Sequence, residues 1–186
     1  MKYVSLDLET TGLDPERHQI LQIGAIVEDT NNPLDYDEIP KFERLIRHAD
    51  IIGQPYALNM NAGLIAKLAE SDRYGITAYA AVIDLYDWLL THLGVPLTGK
   101  LRPTWAGADI ADFDIRFLEK IPNWSTYFMN AGRVLDPSIL YMNWKTDTKL
   151  PSLQKCLDAA GIVKTVKHDA LEDAWDVICL LRKQYT

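Results

Sequence analysis

Three short acidic stretches of this 186-residue chain have the residue types and spacing needed to hold divalent cations and move a proton. The first is Asp7-Leu8-Glu9, which starts inside the run KYVSLDL at 2–8 and ends one residue after it. That run alternates and is rich in β-forming residues, so it reads as a strand ended by the turn Thr11-Gly12-Leu13-Asp14-Pro15. Residues two apart on a strand share a face and lie about 6–7 Å apart. Asp7 and Glu9 then point one way, with Leu6 and Leu8 pointing the other. Two carboxylates so placed can ligate a pair of divalent cations about 3.5–4 Å apart. The turn brings backbone N–H groups and the Thr10 and Thr11 hydroxyls to the same rim. The second stretch holds Asp114, beside a helical stripe of Phe113, Phe117 and Leu118. The third is His168-Asp169-Ala170-Leu171-Glu172-Asp173, opening the last helix. With a helix start near Asp169, His168 projects from the preceding loop and Asp173, one turn in, points the same way. An imidazole can take a proton from water near neutral pH, and the neighbouring carboxylate can hold a metal.

Each stretch also has a plainer reading. A D-x-E strand face can simply be solvated. Asp112 makes a good N-cap, and Asp114 in the first turn is favourable with the helix dipole. A charged start is equally ordinary for the last helix.

The elements that must position these residues follow from periodicity. Further strands are predicted at 19–27 (QILQIGAIV) and 42–47 (FERLIR), close enough to the first for an antiparallel meander. Helical spacing covers 56–70 and 77–93, with Thr77 as N-cap of the second. A strand at 103–108, a helix at 112–120 and a strand at 132–135 (GRVL) come next. Helices then follow at 138–144, at 152–160 (Ser152 as N-cap, Gly161 as stop) and at 169–185. The sum is one domain over 1–186, an α/β architecture with a five-stranded mixed sheet flanked by helices.

Composition narrows the partners. The net charge of −7 argues against a domain that coats duplex DNA by charge. Nine acidic and two basic side chains fall in residues 1–40, while the rest of the chain balances at 17 of each sign. The excess between Glu28 and Glu38 is expected in a loop away from the acidic stretches. Cys156 and Cys179 sit in apolar helical patterns and read as buried, reduced thiols. With no signal-like or membrane-spanning run, a cytoplasmic protein is expected. Trp88 and Trp175 lie on helical apolar stripes and read as core.

Taken together and in order, the three stretches resemble the motifs of the DEDDh family of 3′–5′ exonucleases, DnaQ-like proteins on the ribonuclease-H-like fold. DLETTGLD at 7–14 is similar to the first motif without a mismatch, Phe113-Asp114 with Phe117-Leu118 to the second, and His168 to Asp173 to the third. The resemblance spans residue 3 to about 182. It departs at Asp109 and Ile110, where family members often have His-Asn, and this leaves the local support of the site open. The resemblance implies that Asp7, Glu9, Asp114 and Asp173 hold two Mg²⁺ or Mn²⁺ ions, with His168 as general base. It further implies that Leu8, Thr10, Thr11, Gly12 and Leu13 meet the 3′-terminal nucleotide of single-stranded DNA or RNA. Nucleoside 5′-monophosphates would be released. Lys164 and Lys167, just before His168, could touch the phosphate backbone. Such proteins are often homodimers; a polymerase partner is not readable from the sequence. The rival reading is a nucleic-acid-binding module that kept the fold and lost the chemistry, and the filled set of five catalytic positions argues against it.

Overall fold

The computed structural model describes residues 1–70, 74–95 and 99–186. Three strands come first: β1 (Lys2–Thr10), β2 (Ile20–Asp29) and β3 (Lys41–Leu45). Helices α1 (Pro55–Met60), α2 (Ala62–Glu70) and α3 (Ala78–Leu93) follow, then β4 (Trp105–Ala106) and α4 (Asp114–Leu118). The remaining helices are α5 (Trp124–Tyr127), α6 (Ser138–Tyr141), α7 (Leu153–Ala159) and α8 (Ala170–Arg182). The sheet order is β3-β2-β1-β4, with β1 antiparallel to β2 and parallel to β4. The expected α/β layering is therefore present, with β1 inside the sheet.

The expected fifth strand at 132–135 is a correction. Among the described residues the sheet has four strands, and this segment contributes one parallel bridge, Ala106 with Leu135. Its pairing comprises the Leu135 N–H to the Trp105 carbonyl and the Gly107 N–H to the Leu135 carbonyl. Asp136 then turns away, accepting from the Asp109 N–H and from Ser138, and Pro137 has no N–H with which to extend a ladder.

Alternation on β1 assigns its two faces to two cores. Val4, Leu6 and Leu8 pack into the larger one with Val82, Leu85 and Leu89 of α3 and with Trp105, Phe117 and Trp124. Tyr3 faces the other way, into a second core with Ile26 of β2 and Ala174, Val177 and Ile178 of α8. The Ser5 hydroxyl on that face donates to the Ala174 carbonyl at 2.7 Å. Asp7 and Glu9, next along the same face, therefore meet the N-terminal end of α8.

Helix boundaries follow from local chemistry. Thr77 caps α3 by accepting from the Ala80 N–H, as its sequence predicts. Gly161 takes a left-handed φ of 72° just after α7, which suits glycine. Ser152 occupies the N-cap position of α7 without a side-chain cap. Asp112 does not cap α4; Phe113 is its N-cap residue, without a side-chain bond. The helical run at 56–70 divides at Asn61 into α1 and α2.

Two further expectations change. Glu28 is not in a loop but fully buried on β2, where both its oxygens bind Arg182 at 3.0 and 2.7 Å and one accepts from the Tyr185 hydroxyl. Cys156 is buried and unpaired, whereas Cys179 is unpaired but only partly buried. Trp88 and Trp175 are partly buried against the two cores. No helix among the described residues is long and apolar enough to cross a membrane.

Candidate active site

The close approach of α8 to the sheet begins at Gly24, the β2 partner of Asp7. A Cβ there would lie 2.4 Å from the backbone of Ala170 and Leu171, so only glycine lets the start of the helix sit on the strand pair. We expect Gly24→Val to push α8 outward, destabilising the fold by about 1–3 kcal/mol and lowering activity more than stability. Urea unfolding beside a rate measurement checks this; parent values for both would show that the contact is dispensable.

Polar contacts then fix the helix start. The Asp169 side chain accepts from the Glu172 N–H as N-cap. Gln22, buried opposite Glu9 on β2, accepts from the Ala170 N–H at 3.3 Å and donates to Asp169 Oδ2 at 3.4 Å. His168 precedes this cap with a left-handed φ of 55°. That conformation is uncommon for a residue with a side chain and typical of functional sites. It leaves the imidazole exposed at the mouth of the site.

Glu9, His168 and Asp173 each offer an atom within 4.8 Å of the others. Glu9 and Asp173 are buried, and burial raises both carboxyls to about 7. A hydrogen bond from Asn61 works against the rise at Glu9, while Asp176 and Glu9 add to it at Asp173. Asp7 keeps a partly exposed surface, yet the packing round its carboxyl desolvates it. Together with the charges of Asp114, Asp173 and Glu9, this holds it well above the usual carboxylate range. Asp114, buried at the start of α4, is raised by desolvation and partly lowered by hydrogen bonds from its own and the Leu8 backbone. The four acids thus face one another. Asp7 and Asp114 stand outside the tight three-atom group but are joined to it by charge.

The donors fit a hard divalent cation. Oδ1 of Asp114 and Oδ1 of Asp173 are buried and accept no hydrogen bond from the described residues. Buried carboxylate oxygens without donors, beside a third carboxylate, are the kind of ligand that hard divalent cations take.

The rim differs in detail from expectation. The Thr10 hydroxyl donates to the Gly12 carbonyl. Thr11 is buried, with its hydroxyl donating to Ile52 and accepting from Gln19. Both hydroxyls hold the turn instead of facing outward. The Leu8 side chain is in the core, so only its backbone is near the site. Gly12 packs on the His18 ring, and Leu13 stands 71% exposed beyond it. Lys164 binds Asp176 at 2.7 Å and Glu172 at 3.2 Å, and Lys167 binds Glu172 at 2.8 Å. Ile110, at the departure from the family pattern, is core; Asp109 has a φ of 60° and a carboxyl raised by burial and by Asp112 and Asp136.

Sequence reasoning missed Gln22, Gly24 and Asn61. Gln22 and Gly24 carried a signal, a polar residue and a glycine inside an apolar strand. Asn61 carried none, being 51 residues from the Thr10 carbonyl to which its amide donates.

The fold is shared with solved exonucleases, and the first third of the sequence is similar to an exonuclease family. Residues 4–59 match the exonuclease family RNase_T. Exonuclease I of E. coli bound to a dT13 oligonucleotide is 20% identical, with a TM-score of 0.66 over 99% of this chain and 41% of that one. Exonuclease I of Methylocaldum szegediense gives 20% identity and a TM-score of 0.66 over 98% and 40%. Cell-death related nuclease 4 gives 14% and 0.62 over 98% of this chain and 63% of that one. The chain thus spans about two fifths of the Exonuclease I chains it matches. No curated protein matches the sequence.

Proposed function

We propose that residues 1–186 form one 3′–5′ exonuclease domain that hydrolyses single-stranded DNA or RNA from its 3′ end and releases nucleoside 5′-monophosphates in the cytoplasm. The observation that carries this reading is the convergence of Asp7, Glu9, Asp114 and Asp173, with two donorless buried oxygens, beside an exposed His168. The acids would hold two Mg²⁺ or Mn²⁺ ions. Such a pair, when bound, lowers the pKa of the attacking water and stabilises the departing 3′ oxygen.

The chain's own residues do the rest. His168 accepts the proton of the attacking water on a ring nitrogen, and its exposure lets that proton pass to solvent. Asn61 and Gln22 hold Glu9 and the start of α8 in register. The exposed Leu13 packs on the terminal nucleotide, so that a free 3′ end reaches the acids. Linear and circular single strands of DNA and RNA, incubated with Mg²⁺ or with chelator, test the reading. Chelator-sensitive loss of the linear strands alone is expected. Cleavage of circles would overturn exonuclease action, and binding without hydrolysis would favour the non-catalytic module.

The crowded acids predict a stability response independent of substrate. Glu9 and Asp173 titrate near 7 folded but near 4 unfolded, so between those values the native state binds more protons. Metal-free stability therefore falls as pH rises through that window. Divalent ions relieve the repulsion. At about 100 times the dissociation constant they should raise Tm by about 5–10 °C at pH 8 and by much less at pH 5. Thermal scans with Mn²⁺ and with chelator check this; equal shifts at both pH values would contradict it.

A further inference from the structure

Asp176 lies one turn beyond Asp173 on α8 and is not one of the four acids proposed to hold the ions. It is only 2% exposed, and its Oδ2 has no hydrogen-bond partner among the described residues. Its Oδ1 is held by Lys164 at 2.7 Å, and a second oxygen, Glu172 Oε2, is 3.2 Å from the same ammonium. Lys164 belongs to the segment between α7 and α8 that ends at His168. Gln154 of α7 secures the same segment, donating to the Lys164 carbonyl at 2.9 Å and accepting from the Val166 N–H at 2.9 Å. Lys167 adds an exposed bond to Glu172.

An ammonium paired in this way is a poor contact for a passing phosphate. Reaching one would strip a buried carboxylate of its cation, which is strongly unfavourable. Lys167, more exposed and held among the described residues by Glu172 alone, carries no such penalty. The segment also has to hold His168 at a left-handed φ of 55°, a conformation that persists only where the surroundings over-determine it. The cap at Asp169 fixes one side of His168 and the Lys164–Asp176 bond fixes the other.

We propose that Lys164 and Asp176 are a positioning pair that clamps the 162–168 segment to α8 and sets the direction of the His168 imidazole. This rests on the reading of His168 as the base. It replaces the expected phosphate contact for Lys164 and leaves that role to Lys167.

Steady-state kinetics on a labelled single strand with Mg²⁺, for Lys164→Met, Asp176→Asn and the double variant Lys164→Met/Asp176→Leu, test it. Each single variant should lose about tenfold or more in kcat with KM within about twofold. The double variant should recover part of the Lys164→Met loss, because an unpaired buried carboxylate disturbs more than none. A raised KM with kcat unchanged in Lys164→Met would show a phosphate contact and overturn the proposal. Amide exchange supplies a readout without turnover: Lys164→Met should speed exchange at 162–169 and leave the strands protected. Unchanged exchange there would also overturn it. Should Asp176→Asn fail to fold, Lys164→Met carries both arms. A parent protein that does not hydrolyse the strand at all refutes the functional reading, and the exchange arm still decides the clamp.

Discussion

Replacing Asp7 by Asn should abolish hydrolysis, with a loss of at least ~10³-fold, while the protein stays folded. Asp7 is joined by charge to Asp114, Asp173 and Glu9. In the proposed reading its carboxylate contributes charge that divalent ions need and that the fold does not. The amide has nearly the same shape and removes one repelling partner, so in chelator the variant should melt no lower than the parent. Loss of several kcal/mol of transition-state stabilisation corresponds to the stated rate loss. The same argument predicts a smaller Tm gain on adding Mn²⁺. Undiminished turnover in Asp7→Asn would remove the assignment of these acids as cation ligands.

The second large effect is at His168. Without a base, proton removal falls to solvent, and His168→Ala should lose about 10²–10⁴-fold in rate. The left-handed backbone makes His168→Asn the cleaner companion, since asparagine tolerates that conformation and supplies no comparable base. Similar losses in both variants would assign the effect to the imidazole. A large loss in alanine with near-parent activity in asparagine would assign it to backbone geometry.

Much of this site was legible because two periodicities encode it. The alternation of β1 places Asp7 and Glu9 on the α8 face and Leu6 and Leu8 in the core, as a period of two requires. The start of α8 was readable near Asp169, which leaves His168 in the preceding loop and puts Asp173 one turn into the helix. What escaped depends on partners distant in sequence. Glu28 reads as part of an acidic loop because its partner Arg182 is 154 residues away. Lys164 reads as a free cation until Asp176 is found beneath it. The strand at 132–135 has the right composition but reaches the sheet at a single bridge, since β4 itself is two residues long. Thr11 reads as a rim hydroxyl because its acceptor, the Ile52 carbonyl, lies in a loop with no sequence link to the turn.

The acidity of the first forty residues takes a different meaning from these positions. Asp7 and Glu9 are the candidate ligands, Glu28 is neutralised by Arg182, and two bound divalent ions would turn a repelling site into one that attracts a phosphodiester.

The most direct test of the central claim follows a 5′-labelled single-stranded oligonucleotide through time in the presence of Mg²⁺. Shortening by one nucleotide at a time from the 3′ end, with 5′-mononucleotides released and all products lost on adding chelator, is the predicted result. Immediate release of the labelled 5′ nucleotide, internal fragments from the outset, or degradation that persists in chelator would contradict it.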